Sequence, residues 1–198
     1  MSRTPSATAP GPSLKDVIAR FGGEGGDARK KPPVHLWNPP FCGEIDMRIA
    51  RDGSWHYMGS PIPRPAMVRL FSGILRREPD DSFVLVTPVE KCGIRVDDAP
   101  FVAVEMTVAG EGEHRLIAFR TNVDDIVPLD AEHPLRVAVA GESGEPSPYV
   151  LVRDRLEALL SRPVFYELVA LAEERQDENG RYLAVRSGGQ TFRLGSVE

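Results

Sequence analysis

Cysteine is scarce in this 198-residue chain: Cys42 and Cys92 alone cannot build the disulfide framework of a small secreted domain. Long hydrophobic runs are missing too. The longest stretch free of Asp, Glu, Lys and Arg is Pro32 to Gly43, which holds four prolines and falls short of the ~20 apolar residues of a membrane span. Met1 to Pro12 contains no apolar segment of the kind a secretory signal requires. A reducing, cytoplasmic setting is the expectation. Basic charge is also short, with 24 basic against 29 acidic side chains, a net −5. Through Lys31 there are six basic and three acidic residues, so that segment is +3 and the remainder −8. An acidic body lacks the electrostatic footprint of phosphate-backbone binding, which argues against general nucleic-acid or anionic-membrane partners. A small anion in one pocket needs only a few local cations.

Proline is the residue in excess, 18 of them against a usual ~5%. Residues 1–33 read as a disordered tail carrying one short helix. Ser13 caps that helix, Asp16 completes a variant capping box, and Leu14, Val17, Ile18 and Phe21 line one face. A Gly-rich connector follows. The body then divides into an N-terminal α+β domain, 34–98, and a β-rich C-terminal domain with one helix, 99–198.

Ile45, Met47 and Ile49 alternate with Glu44, Asp46 and Arg48, the pattern of a strand, and Asp52-Gly53 turns it into a hairpin with Ser54 to Met58. The spacing predicts a helix over Arg64 to Glu78, opened by Pro65, and a second over Ser161 to Arg175, opened near Pro163. Strands are expected at Phe83–Thr87, around Ile94 and Val96, at Phe101–Ala109, Arg115–Phe119, Leu135–Val139 and Tyr149–Val152, and in a closing hairpin of Tyr182–Arg186 and Gln190–Leu194. Arg64-Pro65 and Arg162-Pro163 stand in register with the strands that follow each. The expected fold is therefore α+β in two related halves, each a strand-strand-helix-strand-strand unit.

Catalytic signatures are incomplete. Gly141-Glu142-Ser143-Gly144 begins like a nucleophile elbow, but Glu145 replaces the second glycine. Gly22 to Gly26 follows a helix and opens none, which removes dinucleotide and P-loop readings. His35, His56, His114 and His133 are dispersed without zinc spacing. No catalytic residue, metal ligand or cofactor site is nominated, and a non-catalytic role is favoured over an enzymatic one.

Two constellations point to binding. A two-residue turn would place Arg48 opposite Tyr57, so that Glu44, Asp46, Arg48, Trp55 and Tyr57 share one face; the aromatics there either stack on a planar ligand or cover a second packed layer. Arg64 and Arg162 each stand at the N-terminus of a helix, where a cation opposes the dipole. Either the pair awaits a phosphate or carboxylate, or each arginine makes an ordinary salt bridge. Lys91 and Arg95 add cations to the same cleft.

The string Cys42-Gly43-Glu44-Ile45-Asp46-Met47-Arg48-Ile49, with Asp52-Gly53-Ser54-Trp55, Gly59-Ser60-Pro61-Ile62, Thr87-Pro88-Val89-Glu90-Lys91 and Asp98-Ala99-Pro100-Phe101, resembles the bacterial domain of unknown function 1285 family. Thr121-Asn122 and Arg162-Pro163 continue the resemblance, which spans Pro32 to Leu194. It implies a duplicated α+β core, a mostly antiparallel C-terminal β roll or barrel loosely like a pleckstrin-homology fold, and a cleft between halves for a nucleotide-like signalling ligand. The expected function is thus a sensor in which Arg64, Lys91, Arg95 and Arg162 hold an anion and Trp55 or Tyr57 stacks on a base. The alternative is a protein-interaction adaptor using a barrel edge or the Leu14–Phe21 helix.

Overall fold

The computed structural model describes residues 31–139 and 144–197. The tail helix expected at Leu14–Phe21 and the Gly141–Ser143 stretch lie outside them.

The N-terminal half begins with a 3-10 turn, Val34–Leu36, and then alternates as its sequence demands. β1 (Phe41–Ile49), β2 (Trp55–Tyr57) and β3 (Ser60–Pro61) precede α1 (Pro65–Gly73); β4 (Leu75–Arg77), β5 (Phe83–Val86) and β6 (Lys91–Val96) follow it. They form one six-stranded sheet in the order β3-β2-β1-β6-β5-β4, with β1 and β6 parallel and the other pairs antiparallel.

A second six-stranded sheet takes the order β10-β11-β12-β7-β8-β9, from β7 (Phe101–Ala109), β8 (Leu116–Thr121), β9 (Ile126–Pro128), β10 (Leu135–Val139), β11 (Pro146–Arg153) and β12 (Leu156–Leu160). Here β12 and β7 are the parallel pair. α2 (Arg162–Ala170) leads into a three-stranded antiparallel sheet of β13 (Glu173–Asp177), β14 (Gly180–Ser187) and β15 (Gln190–Ser196). The protein is α+β in two related halves. The shared unit is three strands, a helix and three strands, β1–β3/α1/β4–β6 and β10–β12/α2/β13–β15, one strand longer on each side of the helix than expected. β6 pairs with β1 inside one sheet, whereas β15 approaches β10 from a separate sheet.

Both helices end earlier than their apolar stripes suggest. Leu75 satisfies helical spacing, but it is fully buried in the ladder opposite Leu85, and the chain leaves the helix at Gly73. α2 stops at Ala170, and the charged run Glu173–Asp177 pairs with β14 instead. β9 and β12 were not expected, although Leu156, Ala158 and Leu160 alternate buried with half-buried neighbours.

The first hairpin runs one residue out of the expected register. Met47 faces Tyr57, Arg48 faces His56 and Ile49 faces Trp55. A wider loop is the reason: Ala50 and Ser54 close it, the Ala50 N–H donating to the Ser54 carbonyl at 2.9 Å. A one-residue slip exchanges the faces. Trp55 is thereby in the core, 2% exposed, in one buried cluster with Met47, Ile49, Leu75, Phe101, Phe119 and Leu168. That core is continuous across both halves. Among the described residues no helix is long and apolar enough to cross a membrane.

Candidate functional site

Proline at its first position starts α1, and Arg64 flanks it in extended geometry with no side-chain capping bond. Pro65 brings no N–H to the helix end, and Arg64 has no ion-pair partner among the described residues. At the other end the Arg153 guanidinium donates to the Ser72 carbonyl at 2.6 Å and pairs with Asp125 at 2.8 Å. The negative pole of the helix is therefore met by a cation from the C-terminal half, while its positive pole stands beside an unopposed cation.

A cleft of about 220 Å³ opens at that positive pole, lined by Gly53, Trp55, Pro61–Pro63, Pro65 and Val68 of the first half and Asn122 of the second. Asn122 builds its floor: its Oδ1 accepts from the Val102 N–H and its Nδ2 donates to the Gly53 carbonyl, each at 3.0 Å. Trp55 packs on Phe71 with ring centroids 6.3 Å apart, and its indole N–H is buried without an acceptor among the described residues. A buried donor left unpaired costs about 1–3 kcal/mol, which an acceptor would recover.

Ser54 also lines this cleft and lies 3.0 Å from His56 Nε2. Its hydroxyl donates to Asp52 Oδ1 at 2.6 Å and its N–H to the same oxygen at 2.9 Å. These bonds hold the Asp52 carboxyl below the usual carboxylate range. Asp52 therefore orients the serine rather than the imidazole, unlike an acid–base–nucleophile relay. The Asp-x-Ser-x-His spacing was the only trace of this trio in the sequence.

The sequence-predicted site residues do not converge. Trp55 lines the cleft but offers no exposed face for stacking, and Arg64 stands between the lining residues Pro63 and Pro65 without lining the cleft itself. Tyr57 is half exposed at a strand end opposite Met47, outside the cleft lining. Arg162, 76% exposed, opens α2 and is paired with Glu145, the ordinary salt bridge of the two readings.

Lys91 and Arg95 line a separate concavity of about 550 Å³ with Phe41, Glu44, Glu78 and Asp80. Its formal charge is acidic: Glu44, Glu78, Asp80 and Asp81 against Lys91 and Arg95. Lys91 is also committed to Glu78 at 3.2 Å, and Arg95 leans on Asp97 at 3.4 Å. Burial pushes the Glu78 carboxyl up, but hydrogen bonds and charge from Arg76 and Lys91 outweigh it and hold the group below the usual range. A depressed folded-state pKa stabilises above the unfolded value, ~4.3, and the contribution is lost as pH falls through the folded value. Glu78→Gln should therefore lose roughly 1–3 kcal/mol at neutral pH, where the charge-assisted bonds are intact, and little in acid. Urea unfolding near neutrality and near pH ~3 checks this, ~3 lying below the ordinary Glu value; an equal loss at both would contradict it.

No curated protein matches the chain. Among solved structures, a DUF1285 family protein from Silicibacter pomeroyi DSS-3 is 56% identical, with a TM-score of 0.79 over 85% of this chain and 90% of that one. Another, from Shewanella baltica OS155, is 26% identical, with a TM-score of 0.50 over 64% of this chain and 91% of that one. The models of the DUF1285 N-terminal domain, a domain of unknown function, and of the DUF1285 C-terminal domain match residues 32–99 and 100–194. With both domain models matched in order along nearly the whole described body, the chain belongs to the DUF1285 family.

Proposed function

We propose that this protein is a non-catalytic ligand-binding sensor that takes a small anionic molecule in the cleft between its halves. One observation carries the reading: Arg64, without an ion-pair partner among the described residues, flanks α1 between Pro63 and Pro65 of the cleft lining, and Trp55 in the same lining has a buried N–H that lacks an acceptor. Helix N–H groups and a guanidinium favour phosphate or carboxylate. A cleft of about 220 Å³ is smaller than the ~300–1,000 Å³ of drug-sized sites, so it suits an anionic head group; the remainder of a nucleotide-like molecule would extend outside. Arg64 is the anion-holding residue, and Lys91, Arg95, Tyr57 and Arg162 take no part.

The test is a thermal-shift series on the full chain with inorganic phosphate, nucleoside monophosphates and small carboxylic acids. A ligand at 100 times its dissociation constant should stabilise by ~2.7 kcal/mol. Arg64→Ala should lose most of that, and Trp55→Phe, which keeps a ring but removes the N–H, a smaller part. Equal shifts in wild type and Arg64→Ala, or none across the panel, would reject the site.

The adaptor reading has one observation in its favour: α1 exposes Met67 and Leu70, with Met58 exposed nearby in the chain. Leu70→Glu should then abolish partner capture and leave any ligand shift unchanged. Capture that survives Leu70→Glu counts against this surface.

A further inference from the structure

The chain's two cysteines, fifty positions apart, meet across one pair of strands. β1 and β6 run parallel and pair Phe41 with Lys91 and Glu44 with Gly93. Between those pairs β1 has two residues, Cys42 and Gly43, and β6 has one, Cys92. The bulge therefore sets Cys42 and Gly43 opposite Cys92. Neighbouring strands lie ~4.8 Å apart, inside the ~4.4–6.8 Å Cα separation that a disulfide spans. Gly43 contributes no side chain to the bulge, and nothing lies within 4 Å of where its Cβ would stand. The Cys42 thiol donates weakly to the Pro40 carbonyl at 3.7 Å, a contact it would give up on forming the bond.

Both thiols are free, Cys42 exposed and Cys92 half-buried. We propose that Cys42 and Cys92 form a reversible dithiol site, oxidised to an intramolecular disulfide by exchange with a small-molecule disulfide. The Cys42 thiolate attacks one sulfur of the small disulfide; that S–S bond breaks and one small thiol leaves, giving a mixed disulfide on Cys42. The Cys92 thiolate then attacks the Cys42 sulfur and expels the second small thiol. The protein gives up two electrons and two protons, and the small disulfide is reduced to two thiols.

Exposure gives Cys42 the first step. Burial, then the Glu90 charge and Cys42 itself, push the Cys92 thiol up, which disfavours it as the first attacker. The bond would tie the start of β1 to β6 at the rim of the concavity lined by Phe41, Glu44, Lys91 and Gly93, so oxidation would stiffen that rim. This site is independent of the Arg64 cleft.

The test treats the full native chain with oxidised glutathione, blocks residual thiols by alkylation and maps the peptides. The expected product is one intrachain Cys42–Cys92 disulfide, with both thiols lost and both restored by dithiothreitol. The reduced chain should also bind phenylarsine oxide, a dithiol probe, one per chain, and Cys92→Ser should lose that binding. A glutathione adduct persisting on Cys42, a disulfide only between two chains, or equal arsenical binding by wild type and Cys92→Ser would overturn the proposal. Mapping the wild type needs no variant, so a misfolded substitution leaves the outcome decisive.

Discussion

Arg153→Ala should destabilise the folded chain by about 1.5–3 kcal/mol, the range for hydrogen bonds to charged groups, since Asp125 keeps Lys31 as a partner. The Arg153 side chain is 18% exposed and its partner Asp125 17%. Its guanidinium lies 5.0 Å over the Phe101 ring, donates to the Ser72 carbonyl at 2.6 Å and to Asp125 at 2.8 Å. Truncation leaves Asp125 facing Lys31 alone and takes the cation from the C-terminal end of α1. Arg153→Lys should recover only part of the loss, because an ammonium cannot fork between a carboxylate and a carbonyl. Asp125→Ala added to Arg153→Ala should cost less than the two single losses summed. Urea unfolding of the wild type and the four variants measures this. A loss under about 1 kcal/mol for Arg153→Ala would place the pair with exposed salt bridges and contradict the clamp between halves.

Gly53→Val should cost about 2–5 kcal/mol, combining ~1–2 for a left-handed conformation with ~1–3 for disrupted part-buried hydrogen bonds. Gly53 has φ +82, and a Cβ there would stand 2.6 Å from Asn122 Nδ2 and 3.0 Å from Val102 Cγ2. Asn122 would have to move, releasing the Gly53 carbonyl and the Val102 N–H together. Gly59 supplies the control: its φ is +76, yet nothing lies within 4 Å of the built Cβ, so Gly59→Val carries only the conformational cost. Equal losses at the two glycines, read by thermal and urea unfolding, would show that the contact with Asn122 contributes nothing. Because Asn122 floors the cleft, Gly53→Val should also abolish the ligand-induced shift.

Local patterns were legible wherever the interactions that set them are local. Alternation at Glu44–Ile49 marked β1, Pro65 and Pro163 marked the helix starts, and Gly110 and Ser187-Gly188-Gly189 marked hairpins that the structure contains. The helix ends were not legible, because Ile74 and Leu75 fit a helical stripe and a strand equally well until Leu85 is beside them. Register in the first hairpin was the costlier miss. It turned Trp55 from a stacking platform into core.

The excess of proline, the turn glycines and the alternating strands act over a few residues, so the sequence by itself determined where elements begin, the two-half α+β order and the family. Tertiary structure alone decided which distant residues meet: Gly53 with Asn122, Ser72 with Arg153, Cys42 with Cys92. Those meetings depend on strand register and on how the halves dock, and both are set by the summed burial of a core drawn from the whole chain. A single-residue slip reverses every face, which is why no local pattern could place the cleft or pair the cysteines.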